Sequence, residues 1–293
     1  MPSKSSTKPS ITLYRGWSDP GYVWSPFVTK LEARLRFAGL SYKAEAGSPR
    51  TAPKGKIPYV EISRAGHEPE MIADSSQIIG RLVEDDLLPD LNADLGPVER
   101  AHDMALRALL EEKLYFYQSY EKWHEHYYTM RDHALGSIPY PMRVLVGLLA
   151  YRSTMTTLYG QGTARFSGPE IDTFREEIWK NINSLLVDAR KRRADTRDAK
   201  PCFWVLGGDR PSEADAVLFG FIIGAMISPA APTSQKVVKS FPAIEDYARR
   251  IHDQYFSDYQ VWGLNQALID YCIMRRLLSK DFEISCRTYV PFL

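Results

Sequence analysis

An isoleucine–proline pair at the mouth of a short apolar run constrains this chain more than any other feature. In Gly55-Lys56-Ile57-Pro58-Tyr59-Val60-Glu61-Ile62 the apolar residues read as a strand. Pro58 stands at its start, where a missing ladder donor does no harm. A proline there is a candidate cis peptide. Downstream, Ala73-Asp74-Ser75-Ser76-Gln77-Ile78-Ile79 sets an acid and two hydroxyls ahead of an apolar run. That is the pattern of a helix N-terminus: Asp74 or Ser75 caps it, and free backbone N–H groups at such an end bind anions. A strand that exposes backbone at its start, set beside such a helix, can hold a peptide-like carboxylate ligand.

The rest of the chain frames this pair. Residues 1–10 are rich in Ser, Pro and Lys without an apolar core and read as a flexible tail, not a secretory signal. Ile11 to Tyr14 is a short strand. Ser25-Pro26 opens a helix, with Ser25 as N-cap, Pro26 at the first helical position and Phe27, Val28, Leu31, Leu35 and Phe37 at helical spacing. Gly39 closes it. Residues 40–46 form a second strand, a further short strand lies near Met71-Ile72, and a helix runs from Asp74 to about Glu84. The order β-α-β-loop-β-β-α over 11–87 predicts an α/β thioredoxin-like N-terminal domain. Residues 88–98, with Pro89 and Pro97, read as a linker. An all-α bundle domain is predicted over 99–262. It holds one long aromatic-rich helix over 99–135, a second over 143–159 after Pro139 and Pro141, and a third over 167–189. A nearly all-apolar run over 216–227 must be central to the bundle, capped by Ser212 and Asp215. The last helix starts at Phe241-Pro242, and residues 263–293 form an extension without an assigned role.

Charge and cysteine usage exclude several function classes. The formal net charge is +1, so no global field attracts nucleic acid or an anionic membrane. The basic run Arg190 to Arg193 reads as a solvated helix end. Cys202, Cys272 and Cys286 are widely spaced and odd in number, which points to a reducing, cytoplasmic setting with no disulfide framework, no structural zinc and no other metal site. No apolar run approaches the ~20 residues that span a bilayer, so membrane insertion is not expected.

Taken in order, four pieces give the chain a family likeness. They are Ser25-Pro26-Phe27 after the first strand, Ile57-Pro58, Asp74-Ser75-Ser76 before Ile78-Ile79, and Pro211-Ser212-Glu213-Ala214-Asp215. Over roughly residues 11–262 the chain resembles the glutathione transferase superfamily. The stretches Ser25 to Glu32, Leu35 to Gly39 and Gly160 to Ser167 resemble the divergent branch of failed-axon-connections and metaxin-like proteins.

The resemblance implies a site. Glutathione's backbone would pair with Ile57, Pro58 would shape the strand, and Asp74 and Ser75 would hold the γ-glutamyl end. Lys56, and also Lys54, would meet the glycine carboxylate. Ser25 falls where the superfamily places its catalytic hydroxyl or thiol, with Tyr14 as runner-up. Lowering a thiol pKa by about 2 units takes ~2.7 kcal/mol. One hydroxyl bond to the thiolate plus the helix N-terminus supplies most of that. Tyr22 and Trp24, and on the long helix Tyr120 and Trp123, would line a pocket for a hydrophobic second substrate. The absence of Cys from the predicted first domain departs from the glutaredoxin and omega-type pattern and argues against thiol–disulfide reductase chemistry. The implied activity is deprotonation of glutathione and its addition to, or isomerisation of, a hydrophobic electrophile, in a protein that can form a homodimer. Two alternatives stay open: a non-catalytic binding or scaffold module of the metaxin-like type, and a glutathione-dependent tailoring enzyme of specialised metabolism.

Overall fold

The computed structural model describes residues 9–193 and 201–262. Residues 1–8, 194–200 and 263–293, with Cys272 and Cys286 among them, lie outside the described residues. The first elements are β1 (Ser10–Tyr14), α1 (Pro26–Phe37), β2 (Lys43–Glu45), β3 (Tyr59–Ser63), β4 (Glu70–Ala73) and α2 (Ser75–Glu84). The sheet order is β2-β1-β3-β4, with β1 and β2 parallel and the other pairs antiparallel. This mixed four-stranded sheet is thioredoxin-like.

Its core follows from the two-residue period of strands. Ile11 and Leu13 on β1 lie opposite Ile62 and Val60 on β3. All four are buried with Leu31 and Leu35 of α1 and Ile78 and Leu82 of α2. α1 stops where Gly39 takes a φ of 65°. The Gly39 amide donates to the Arg36 carbonyl and the Leu40 amide to the Leu35 carbonyl, which closes the last turn.

The helical part consists of α3 (Pro97–Leu109), α4 (Tyr115–Tyr120), α5 (Tyr127–Ala134), α6 (Tyr140–Gln161), α7 (Gly168–Arg192), α8 (Glu213–Met226), α9 (Pro232–Lys239) and α10 (Pro242–Tyr255). The single helix predicted over 99–135 is α3 to α5, divided by π-turns at Leu110–Leu114 and Glu121–Glu125. It starts two residues early because Pro97 suits a first helical turn and Glu99 accepts the Gly96 amide at 2.9 Å. α6 likewise takes Pro141 into its first turn instead of starting after it. α9 was not anticipated as a separate helix. Its first amides, at Thr233 and Ser234, donate to the Glu121 carboxylate at 2.7 and 3.1 Å.

α8 is the centre of the helical part, with every residue from Ala214 to Met226 buried. A Cβ on Gly220 would stand 2.3 Å from the Pro26 carbonyl oxygen, so α1 and α8 meet backbone to backbone. Buried charges fasten the same seam. Arg34 of α1 donates to Glu213 at 2.6 Å, and Lys30 donates to Ser76 of α2 at 2.8 Å and to Glu111 at 2.5 Å. Among the described residues no helix is long and apolar enough to cross a membrane.

Candidate active site

Three segments meet at one end of the sheet. Tyr14 and Tyr59 are opposite each other in the β1–β3 register, so the loop leaving β1 runs beside the loop that enters β3. The Ile57 side chain lies 3.2 Å from where a Cβ on Gly16 would stand. The Ile57–Pro58 bond is cis. The Pro58 carbonyl accepts the Asp74 amide at 3.4 Å, which brings the start of α2 to the same place. No backbone hydrogen bond from the described residues reaches the amide or carbonyl of Ile57. This stretch of backbone is left free to pair.

At α2, Asp74 is the N-cap and holds a φ of 82°. Its Oδ1 accepts the Ser76 and Gln77 amides at 3.1 and 3.4 Å. Its Oδ2 faces the Lys56 ammonium at 4.0 Å. Ser75 is buried to 4% exposure, and neither its amide nor its hydroxyl bonds to a described residue. The site therefore offers an N–H and an O–H donor, a carboxylate oxygen and a cation within two adjacent loops. Lys54 donates to Gln77, in the first turn of the same helix, at 2.5 Å.

Ser25 caps α1 by position only. Its backbone is extended, at φ −82° and ψ 115°, and its hydroxyl bonds to none of the described residues. A hydroxyl at a helix N-terminus with no internal partner can donate to an anion. Tyr14 differs. Its hydroxyl donates to Glu61 at 3.3 Å and its ring stacks on Tyr59 at 4.4 Å. Burial and the Glu61 carboxylate push its phenol above the usual range.

The four residues expected to line a pocket go to different places. Tyr22 is taken up by packing: its hydroxyl lies 2.8 Å from His252 Nδ1 and its ring meets Phe219, Phe256 and Tyr259. Tyr120 joins Leu158 and Ile171 in a core cluster between α4, α6 and α7. Most of both rings is spent on packing against distant parts of the chain, Tyr120 being 9% exposed and Tyr22 partly buried. Trp123 is half-buried in the second π-turn. Trp24 stays at the loop and stacks on His133 of α5 with centroids 3.3 Å apart, while Trp17 stacks on the same imidazole at 5.4 Å. Burial holds His133 down at about 4, so it is neutral at pH 7. Neither His133 nor Lys122, whose Nζ reaches the Trp24 carbonyl at 3.4 Å, was picked out by the sequence. Only the turn from α4 to α5 brings them to the loop, and nothing in local spacing announces that.

The comparisons with known proteins agree with this architecture. Residues 26–130 match the family described as glutathione S-transferase N-terminal domain. The isoprene-epoxide–glutathione S-transferase of Rhodococcus sp. (strain AD45) is 28% identical over 256 residues, covering 84% of this chain and 99% of that protein. The Failed axon connections protein of Drosophila melanogaster is 27% identical over 247 residues, covering 80% of this chain and 55% of its own length. A glutathione transferase of Phanerochaete chrysosporium superposes with a TM-score of 0.52 at 15% identity, over 88% of this chain and all of the other, which is a likeness of fold.

Proposed function

We propose, from its likeness to the glutathione transferase superfamily, that this chain binds glutathione and activates its thiol for attack on a small hydrophobic electrophile. The observation that carries the reading is Ser25: a hydroxyl with no partner among the described residues, at the N-terminus of α1, a helix tied to the start of α2 by the Lys30–Ser76 hydrogen bond, while Ile57 and Ser75 leave donors and acceptors unused. The Ile57 backbone pairs with the cysteinyl backbone of the peptide. The Ser75 amide and hydroxyl take the γ-glutamyl carboxylate, Asp74 Oδ2 takes its ammonium, and Lys56 stands near enough to steer the anionic end. The thiol then lies over the start of α1. Its proton leaves to solvent, and the Ser25 hydroxyl donates to the thiolate while the helix N-terminus favours its charge. The sulfur attacks an electrophilic carbon, and opening an epoxide of the kind named for the Rhodococcus relative would place the leaving oxygen as an alkoxide that takes a proton.

Trp24 and Trp17, with the neutral His133 between them, offer the apolar surface nearest the thiol for that substrate. Detoxification or a step of specialised metabolism in the cytoplasm, by a homodimer, completes the reading. The free, buried Cys202 accords with a reducing setting.

Retention on immobilised glutathione tests the binding half. Wild type and Ser25→Ala are expected to be retained, and Ser75→Ala to be lost or weakened by about tenfold or more, the worth of one hydrogen bond to a charged group. Turnover of a small epoxide tests the chemical half and is expected to fall for Ser25→Ala. A wild type that is neither retained nor thermally stabilised by millimolar glutathione removes the proposal.

A further inference from the structure

Behind the Ser25 loop lies a charge that the reading above does not use. Lys122 sits in the second π-turn, 7% exposed, and among the described residues its ammonium has one hydrogen-bond partner, the Trp24 carbonyl at 3.4 Å. That carbonyl belongs to the residue before Ser25. The π-turn lets consecutive residues face opposite neighbours. Glu121 turns away to Arg175, Thr233 and Ser234, at 2.6, 2.7 and 3.1 Å, while Lys122 turns to the loop. Among the described residues no acid pairs with the Lys122 ammonium. The groups that act on it are Glu121, already committed, and His133 of α5, itself neutral, with Asp19 beyond it. α8 approaches the Trp24 carbonyl at Gly224, whose Cβ would stand 3.4 Å from that oxygen, and the charged residues of α8 lie at its other end. The facing stretch of α6 brings no acid, since that helix contains none.

We infer that Lys122 is a positioning residue for the thiolate: its buried ammonium, held against the Trp24 carbonyl, sets a positive charge beside the start of α1 and favours the anion that forms over Ser25. This rests on the transferase reading. A cation that has given up its water for one carbonyl gains more from a nearby anion than a solvated one does. The coupling is reciprocal: the ammonium lowers the thiol pKa, and the thiolate keeps the ammonium protonated. Burial brings Lys122 down from 10.5 to about 8. The charge is therefore present at neutral pH and is lost as pH rises through that value, which makes it a switch on the alkaline side of the reaction.

The pH dependence of kcat/KM for glutathione with a small epoxide tests this, on wild type, Lys122→Arg and Lys122→Met. Wild type is expected to fall off above about pH 8. Lys122→Arg should keep its rate at pH 7 and lose the alkaline fall, because a guanidinium stays charged. Lys122→Met should lose the fall and run about tenfold slower at pH 7, the effect of one unit of thiol pKa. A merely structural lysine predicts instead that Met, similar in volume, leaves the pH profile intact and changes only thermal stability. Identical profiles for wild type and Lys122→Met overturn the inference. Retention on immobilised glutathione separates the two failures. A wild type that does not bind sinks the transferase reading and this inference with it. A wild type that binds and turns over, with a profile indifferent to residue 122, sinks the role of Lys122 alone.

Discussion

Among the described residues three helices have a serine as N-cap, and they use it differently. At α8 and α7 an acid stands three residues on, Asp215 after Ser212 and Glu170 after Ser167, and it absorbs the serine. Ser212 donates both its amide and its hydroxyl to Asp215, at 2.8 and 2.9 Å, and Ser167 does the same to Glu170, at 2.8 and 2.7 Å. At α1 the residue three on is Val28, the first turn contains no acid, and the Ser25 hydroxyl stays unused. The same N-cap chemistry thus closes a structure in two places and is left open in a third. A serine at a helix start becomes informative about function when its own helix has no use for it. That contrast is visible in the sequence as the absence of an acid at the third helical position.

The start of α8 is where the contrast costs most to disturb. Asp215 is fully buried and accepts from the Val205 amide, the Ser212 amide and hydroxyl, and the Tyr247 hydroxyl, at 2.7 to 2.9 Å. Asp215→Ala leaves four buried donors without an acceptor and is expected to lose roughly 3–5 kcal/mol in urea unfolding. The same group carries a pH signature. Burial raises it from 3.8 to about 6, so the folded chain holds this proton more tightly than the unfolded one. The resulting stabilisation is complete below about pH 4 and lost as pH rises through about 6, and the Ala variant should lack this slope. Gly220→Ala comes next. The new methyl would meet the Pro26 carbonyl 2.3 Å away and the Lys30 amide 2.8 Å away, both backbone and neither able to rotate aside. A loss of about 1–3 kcal/mol is expected. Because Pro26 follows Ser25, glutathione affinity should fall with it, whereas Asp215→Ala acts at the far end of α8.

What was legible in the sequence follows the same division between local and distant partners. The cis-proline strand start, the Asp74 cap, the Gly39 stop and the Ser212–Asp215 pair each depend on residues a few positions apart, and short-range chemistry announces them. The central place of α8 was legible because a run of apolar residues on all sides has nowhere else to go. Tyr22 was not, because its packing depends on Phe219, His252 and Phe256, more than half the chain away, and an aromatic residue near a site looks the same from sequence whether it lines a pocket or fills a core. The π-turns were equally hidden. Leu110–Leu114 and Glu121–Glu125 read as continuous helix, yet the second decides that Glu121 caps α9 while Lys122 reaches the Ser25 loop.

The sharpest comparison uses one substitution at two helix starts. Ser212→Ala removes a buried hydroxyl that donates to a carboxylate at 2.9 Å, and should cost about 1–2 kcal/mol while leaving glutathione retention unchanged once the protein is folded. Ser25→Ala removes a hydroxyl with no partner among the described residues, so its stability should stay within about 0.5 kcal/mol of wild type. Its turnover should nevertheless fall by about tenfold or more, the loss of one hydrogen bond to an anion. Thermal melts of the two variants, beside epoxide turnover at a fixed glutathione concentration, give a crossed pattern: one stable and slow, the other weaker and active. If Ser25→Ala melts early and keeps its rate, the hydroxyl at α1 serves the helix after all, and the distinction between a closed and an open helix start does not separate structure from function in this chain.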